Sequence, residues 1–146
     1  MTFHRILVPT DFSPAADKAV ALAVELARRD KGAITLFHVT PYPAPLITDY
    51  GPLPIADFQP NLEEIGKQCR ALLEREAGKA VPTDVPWTPK VVLGMPADEI
   101  TTELQTGAYD VVVMGTHGRT GVSHLLLGSV AERVLRHATI PVLVTR

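Results

Sequence analysis

Short apolar runs alternate along this chain with longer segments in which apolar residues recur every three or four positions. The runs lack polar alternation, which is typical of strands buried on both faces of a sheet. The longer segments carry an apolar stripe along one side, which is typical of helices packed against such a sheet. Five strands are predicted on this basis, at residues 6–8, 33–39, 87–93, 110–115 and 140–145. Their alternation with helices predicts a doubly wound α/β fold, a parallel sheet with helices on both faces.

The first two helices have recognisable start signals. Ser13 is suited to cap the first helix and Pro14 to open its first turn, while Gly32 is expected to end it. Asn61 is suited to cap the second helix, and Glu64 stands three residues later, as in a capping box. The apolar stripe of this second helix is predicted to consist of Leu62, Ile65, Cys69, Leu72 and Leu73. We interpret Cys69, the single cysteine, as a small core residue.

The third and fourth helices follow glycine-containing segments. The third is expected to begin at residues 94–96, and the fourth is expected to cover residues 127–137. Three apolar residues of the fourth helix are predicted to face the core, namely Val130, Val134 and Leu135.

The segment 41–60 differs from the rest of the chain because it holds six prolines. Proline is disfavoured inside helices and central strands. An irregular segment of this length in a compact domain is usually a lid or a binding segment, or is disordered. The sequence leaves these alternatives open, and the two functional roles that fit an ordered loop here are closing over a ligand and contacting a protein partner.

Composition favours a single domain over residues 1–146. The net charge of −2 and the pI of about 6.2 lack the basic footprint of a nucleic-acid-binding protein. Apolar runs stay below the ~18 residues of a membrane span, and the first residues have too short an apolar part for a signal peptide. A single cysteine rules out an internal disulfide and favours the reducing cytoplasm.

The segment from Met114 to Val130, MGTHGRTGVSHLLLGSV, carries the clearest chemical signal. An apolar strand ends in a loop that holds Gly115, Gly118 and Gly121, and Gly128-Ser129 stands at the head of an amphipathic segment. Free backbone N–H groups and the positive end of a helix dipole then point at one spot, which suits an anion such as phosphate. The alternative is a turn whose glycines serve only to reach positive φ.

The spacing Gly115-x2-Gly118-x9-Gly128-Ser129 resembles the nucleotide-binding branch of the universal stress protein family. Four further segments of the chain resemble this family in the same order: ILVPTDFS, LFHV, GMPADEI and IPVLVTR. The resemblance implies a Rossmann-like sheet, similar to that of the adenine nucleotide alpha hydrolases, with strand order 3-2-1-4-5. It also implies a homodimer that pairs through Pro141–Thr145, with ATP, ADP or AMP as ligand.

The nucleotide-binding residues that we expect lie in three loops at the carboxyl edge of the sheet: Pro9, Thr10, Asp11, Val39, Met114, Gly115, His117, Gly118, Arg119, Gly128, Ser129 and Val130. The resemblance implies that Asp11 holds the ribose and that Val39 meets adenine through its backbone. The glycines and Ser129 would surround the phosphates, with Val130 adding a backbone N–H group. Two alternatives stay open: Asp11 as a helix-capping residue and Ser129 as an N-cap.

His117 and Arg119 fall at variable positions of the motif. Arg119 either neutralises phosphate charge or is a solvated loop residue, and His117 either touches phosphate or is simply exposed. The remaining histidines lack metal-ligand spacing, so we expect no metal site made by protein side chains. Mg²⁺ held through the nucleotide phosphates is compatible with the sequence.

Three functions fit this chain. The first is an ATP-binding stress-response regulator that acts as a homodimeric sensor or switch. The second is a slow ATPase or an adenylate-transferring enzyme on the same scaffold. A fast enzyme is disfavoured because the sequence contains neither G-x4-G-K-[ST] nor H-x-G-H, and PTDFSP stands where an ATP pyrophosphatase would carry SGG-x-D-S. The third is a dimeric interaction protein with a vestigial site, which the intact motif argues against.

Overall fold

The computed structural model describes residues 1–41, 47–48, 51–52, 61–116 and 127–146 of the chain. The elements in chain order are β1 (Arg5–Pro9), α1 (Pro14–Asp30), β2 (Ala33–Thr40), β3 (Ile47–Thr48), β4 (Gly51–Pro52), α2 (Leu62–Ala80), β5 (Trp87–Leu93), α3 (Pro96–Gln105), β6 (Val111–Gly115), α4 (Ser129–His137) and β7 (Val142–Thr145). In these parts of the chain, no helix is both long and apolar enough to cross a membrane.

The main sheet has five parallel strands in the order β5-β2-β1-β6-β7. Counted along the chain, this is the order 3-2-1-4-5, so the predicted fold class is confirmed. The sequence did not predict β3 and β4, which form a two-residue antiparallel pair within the proline-rich segment. The chain leaves β1 toward β2 on one side and leaves β6 toward β7 on the other. The crevice where strand order reverses therefore lies between β1 and β6.

Two apolar clusters cover the two faces of the sheet. On one face, Ile6, Val8 and strand neighbours pack against α1 and against Leu73 of α2. On the other face, Leu7 and its neighbours pack against α3 and α4. Ile6, Leu7 and Val8 are all 0% exposed, as expected for a central parallel strand. Helices therefore cover both faces of the sheet, as the continuous apolar runs predicted.

Both predicted helix caps are present. The Ser13 Oγ accepts a hydrogen bond from the N–H of Ala16 at 3.3 Å, and Pro14 opens α1. The Asn61 Oδ1 accepts from the N–H of Glu64 at 3.0 Å, which is one half of a capping box. Each cap supplies an acceptor to a first-turn donor that has no partner inside the helix.

The end of α1 differs from the prediction. Lys31, not Gly32, takes the left-handed conformation, with φ of 54°. The N–H groups of Lys31 and Gly32 both donate to the carbonyl of Ala27, as in a Schellman ending. Glycine is needed at position 32 for a different reason, because a Cβ there would lie 2.6 Å from the carbonyl oxygen of Phe3.

Several apolar residues predicted to face the core are exposed. In α2, Leu62 is 42% exposed and Cys69 is only half-buried, with its Sγ accepting a hydrogen bond from the hydroxyl of Thr40 at 3.1 Å. In α4, which begins at Ser129 and not at residue 127, Leu135 is 41% exposed. Ala131 is buried beside Val134 in its place, because residues three apart share a helix face.

Asp30 is a buried carboxylate that fastens the start of the chain to the end of α1. Its side chain accepts hydrogen bonds from the Arg29 guanidinium at 2.7 Å and from the N–H of Phe3 at 2.8 Å. These bonds lower the pKa of Asp30 from 3.8 to about 2, the Arg29 bond having the larger effect. The ionised form is thus favoured by folding.

We therefore expect Asp30 to stabilise the fold above pH ~4 and to lose this contribution as the pH falls toward 2, since a lowered native pKa gives stability that acid removes. Urea unfolding of the wild type and of Asp30→Asn should be compared across this range. The difference in unfolding free energy should stay constant at neutral pH and shrink below pH ~4. A difference that does not change with pH would show that the Asp30 charge is not involved.

Candidate functional site

The β1–α1 loop is fastened by a set of local hydrogen bonds. The N–H of Thr10 donates to the carbonyl of Phe37 at 2.9 Å, which continues the β1–β2 pairing one residue beyond β1. The Thr10 hydroxyl accepts from the N–H of Phe12 at 3.1 Å, and the Asp11 Oδ1 accepts from the N–H of Ser13 at 3.1 Å. Such short side-chain turns are typical of Thr and Asp in loops. They hold Asp11 in a defined place at the carboxyl end of β1.

Phe12 has an unfavourable backbone conformation within this loop. Its φ is 62°, which costs a non-glycine residue roughly 1–3 kcal/mol. The surroundings compensate for that cost, because the ring packs on the core and against His38 of β2, with ring centroids 4.7 Å apart. The His38 Nδ1 lies 2.8 Å from the carbonyl oxygen of Thr10. This loop is therefore held from within and from the neighbouring strand.

The start of α4 is tied to the ends of β6 and β7. The N–H of Thr116 donates to the carbonyl of Thr145 at 2.8 Å, and the N–H of Gly128 donates to the carbonyl of Thr116 at 2.7 Å. Thr116 is buried. These two bonds bring residue 128 back to the point where β6 ends, so α4 begins at the carboxyl edge of the sheet.

The ends of β6 and β7 also contact the beginning of α1. A Cβ on Gly115 would lie 2.9 Å from the backbone carbon and the Cβ of Ala15. The Thr145 hydroxyl donates to the carbonyl of Ala15 at 3.1 Å. Because Ala15 follows the β1–α1 loop by two residues, these contacts place that loop and the start of α4 at the same crevice.

The N-terminus of α4 can hold an anion. Gly128, its N-cap, has an extended backbone with φ −64° and ψ 150°, and Ser129 is exposed. The first intrahelical bond runs from the N–H of Glu132 to the carbonyl of Gly128 at 2.9 Å. The N–H groups of Ser129, Val130 and Ala131 precede that bond and have no acceptor within the helix, so they lie at the positive end of its dipole.

Nine of the twelve expected site residues lie in described parts of the chain, and the rest, His117, Gly118 and Arg119, lie outside them. Val39 and Met114 are 8% and 4% exposed, so their side chains belong to the core. At the carboxyl edge of the sheet, a ligand would therefore meet the backbones of these two residues. The Asp11 carboxylate accepts a hydrogen bond from the N–H of Ser13 within the loop, while the N-cap of α1 is Ser13. Asp11 is therefore not the residue that caps α1.

Sequence reasoning did not identify the residues that hold these loops in place. Phe12, His38, Ala15, Thr116 and Thr145 act through contacts between distant parts of the chain. His38 carried one signal, since it is a polar residue inside the otherwise apolar run LFHV. Among the described residues, no group of three His, Cys, Asp or Glu side chains is arranged to bind a metal ion.

The fold and this crevice define a doubly wound α/β protein with an acidic loop and a glycine-capped helix N-terminus at its topological switch point. The chain belongs to the universal stress protein family, whose model matches residues 2–146. It is 30% identical over 145 residues to universal stress protein MJ0531 of Methanocaldococcus jannaschii, covering 99% of this chain and 82% of that protein.

Solved structures of the family share the fold. The structure of MJ0577, from the same archaeon, superposes with a TM-score of 0.80 at 26% identity, covering 99% of this chain and 96% of that one. A universal stress protein solved in complex with cAMP gives a TM-score of 0.66 at 20% identity, covering 100% and 98% of the two chains.

Proposed function

We propose that this protein binds an adenine nucleotide, with ATP as the first candidate and AMP or ADP as related ligands. The observation that carries the proposal is that the β1–α1 loop and the N-terminus of α4 lie at the same crevice between β1 and β6. The loop holds the Asp11 carboxylate, and the helix offers its first-turn N–H groups. An acidic side chain beside a helix N-terminus matches the ribose and phosphate parts of a nucleotide.

Each expected residue has a proposed role in this site. Asp11, with Pro9 and Thr10 in its loop, meets the ribose, and the backbone of Val39 meets adenine. Ser129 and Val130 offer N–H groups to the phosphates, together with the backbone of Gly128. Further contacts to phosphate are proposed on the motif for Met114, Gly115, His117, Gly118 and Arg119, and Mg²⁺ would be bound through the phosphates. The family relative solved with cAMP supports an adenine-containing ligand.

We further propose that the protein is a homodimeric sensor or switch in the cytoplasm, with Pro141–Thr145 as the pairing segment. β7 is an edge strand of the main sheet, and Val144 within it is 40% exposed. An apolar edge strand offers both unpaired backbone groups and apolar surface to a second chain. A slow ATPase, the alternative, would use the same site. Phosphate release measured over hours distinguishes it from a sensor that only binds the nucleotide.

Nucleotide retained by the purified protein tests the proposal. The protein should release an adenine nucleotide when it is denatured and the supernatant is separated by reverse-phase chromatography. After nucleotide removal, ATP at a hundredfold excess over Kd should stabilise the fold by about 2.7 kcal/mol, because the ligand binds the folded state only. That gain corresponds to a rise of roughly 2–4 °C per kcal/mol in the melting temperature. GTP and CTP at the same concentration serve as matched controls for charge.

Two joint results would refute adenine-nucleotide binding. They are the repeated absence of any nucleotide from the purified protein and the lack of a thermal shift with ATP, ADP, AMP or cAMP. If GTP and CTP shift the melting temperature as much as ATP does, the site binds the phosphates without selecting adenine. That result would refute the assignment of adenine to Val39.

A further inference from the structure

His38 contacts the β1–α1 loop on both sides of Asp11. Its Nδ1 lies 2.8 Å from the carbonyl oxygen of Thr10, the residue before Asp11. Its ring packs on the ring of Phe12, the residue after Asp11, with an interplanar angle of 43°. One side chain on β2 thus holds both neighbours of the acidic residue.

The contact with Thr10 defines the hydrogen-bonding state of the imidazole. A backbone carbonyl can only accept, so the Nδ1 of His38 must carry the hydrogen and donate it. Together with the bond from the Thr10 N–H to Phe37, this contact means that β2 binds both backbone polar groups of Thr10. The Thr10 hydroxyl in turn accepts from the N–H of Phe12.

The ring contact addresses a different need of the loop. Phe12 has a φ of 62°, a conformation that a phenylalanine leaves unless its surroundings oppose the change. The His38 ring and the core residues beneath Phe12 hold its side chain. If Phe12 relaxed, Asp11 would change direction, since the two residues are adjacent and Ser13 is already fixed as the cap of α1.

We propose that His38 is a positioning residue for the nucleotide site, holding the Thr10–Phe12 backbone so that Asp11 meets the ribose. This inference rests on the proposed nucleotide-binding function. The required group is the Nδ1–H donor, and the tilted contact of the ring with Phe12 is a second support. Preorganisation of the loop lowers the ordering cost of binding.

Three substitutions separate the donor from the bulk of the side chain. His38→Asn places an amide N–H close to the position of Nδ1 and removes the ring. His38→Gln moves the amide one carbon further out, away from the position of Nδ1, and His38→Leu removes all donors. Thr40→Val is the matched control, because it deletes a different side-chain hydrogen bond from the same face of the same strand, the one that the Thr40 hydroxyl donates to Cys69.

Amide hydrogen exchange in the nucleotide-free protein reports the loop directly. We expect the amides of Phe12 and Ser13 to exchange at least about tenfold faster in His38→Leu and His38→Gln, since the loss of this partly buried hydrogen bond favours local opening. His38→Asn should recover most of the protection, and Thr40→Val should leave it at the wild-type level. Wild-type exchange of both amides in His38→Leu would overturn the proposal.

Calorimetric titration with ATP then tests the consequence for binding, under conditions where urea unfolding shows every variant to be fully folded. The Kd should rise about tenfold in His38→Leu and return toward the wild-type value in His38→Asn. Faster exchange with an unchanged Kd would also overturn the proposal, because the held loop would then not serve the ligand. Failure of the wild type to bind any of ATP, ADP, AMP and cAMP would instead refute the proposed function, and the exchange data would show the state of the loop independently.

Discussion

Proline in place of Ser129 is expected to weaken ATP binding at least about 100-fold while α4 stays folded, since it deletes one N–H group and one hydroxyl from the proposed phosphate site. Each charge-assisted hydrogen bond contributes about 1.5–3 kcal/mol, so the loss of two is a large change. Proline is acceptable at this position because Ser129 is the first residue of α4 and its N–H has no acceptor within the helix.

The backbone before residue 129 also suits a following proline. Gly128 is extended, with φ −64° and ψ 150°, which is the conformation favoured before proline. The chain already begins two of its helices in this way, α1 at Pro14 and α3 at Pro96. We therefore expect an unchanged far-ultraviolet circular dichroism spectrum and a melting temperature close to that of the wild type.

Ser129→Ala is the matched control for this experiment. It removes the hydroxyl but keeps the backbone N–H, and we expect it to weaken ATP binding by about tenfold. The ratio of the two Kd values, measured by calorimetric titration, gives the contribution of the N–H group alone. If Ser129→Pro binds ATP as tightly as the wild type, the N-terminus of α4 does not hold the phosphates.

Local signals in the sequence were sufficient to predict most of the fold. Continuous apolar runs predicted the central strands because both faces of a parallel sheet are covered. Ser13 and Asn61 predicted two helix starts, because each cap side chain accepts a hydrogen bond from the N–H only three residues later. The order of the strands came from the resemblance to a family, since pairing between distant strands leaves no local trace in the sequence.

The errors have a common physical cause, which is tertiary contact. Gly32 was predicted to end α1, yet Lys31 takes the left-handed conformation there, and glycine is needed at position 32 because a Cβ would meet the Phe3 carbonyl. Leu135 has the right spacing for a core residue and is nevertheless exposed, because the buried face of α4 runs through Ala131 and Val134, with Val130 packed against the same cluster. Such constraints depend on neighbours that are far away in the chain.

In the candidate site, too, some features were visible in the local sequence and others depend on tertiary contacts. The glycine spacing and the Asp11 position were visible as a pattern in the sequence. The support of the Asp11 loop by His38, and the strained φ of Phe12, depend on β1 and β2 lying side by side. The sequence thus predicted which groups could meet a nucleotide, and it did not predict what holds them in place.

Gly115→Ala is expected to lower the free energy of unfolding by about 2 kcal/mol, because it forces a methyl group into a filled space. The new Cβ would lie 2.9 Å from both the backbone carbon and the Cβ of Ala15. Backbone cannot move aside as a flexible side chain can, so β6 and the first turn of α1 must separate. Urea unfolding of the nucleotide-free protein measures the loss.

Gly66→Ala is the matched control, since it adds the same methyl group inside α2 with no neighbouring atom within 4 Å of the new Cβ. It should stabilise the protein by about 0.5–1 kcal/mol, the usual gain from replacing glycine in a helix. Opposite signs for the two substitutions would show that Gly115 is required by packing against α1, whatever its contact with phosphate. If Gly115→Ala keeps wild-type stability and loses only ATP affinity, the contact with Ala15 is not what requires glycine there, and the phosphate becomes the reason.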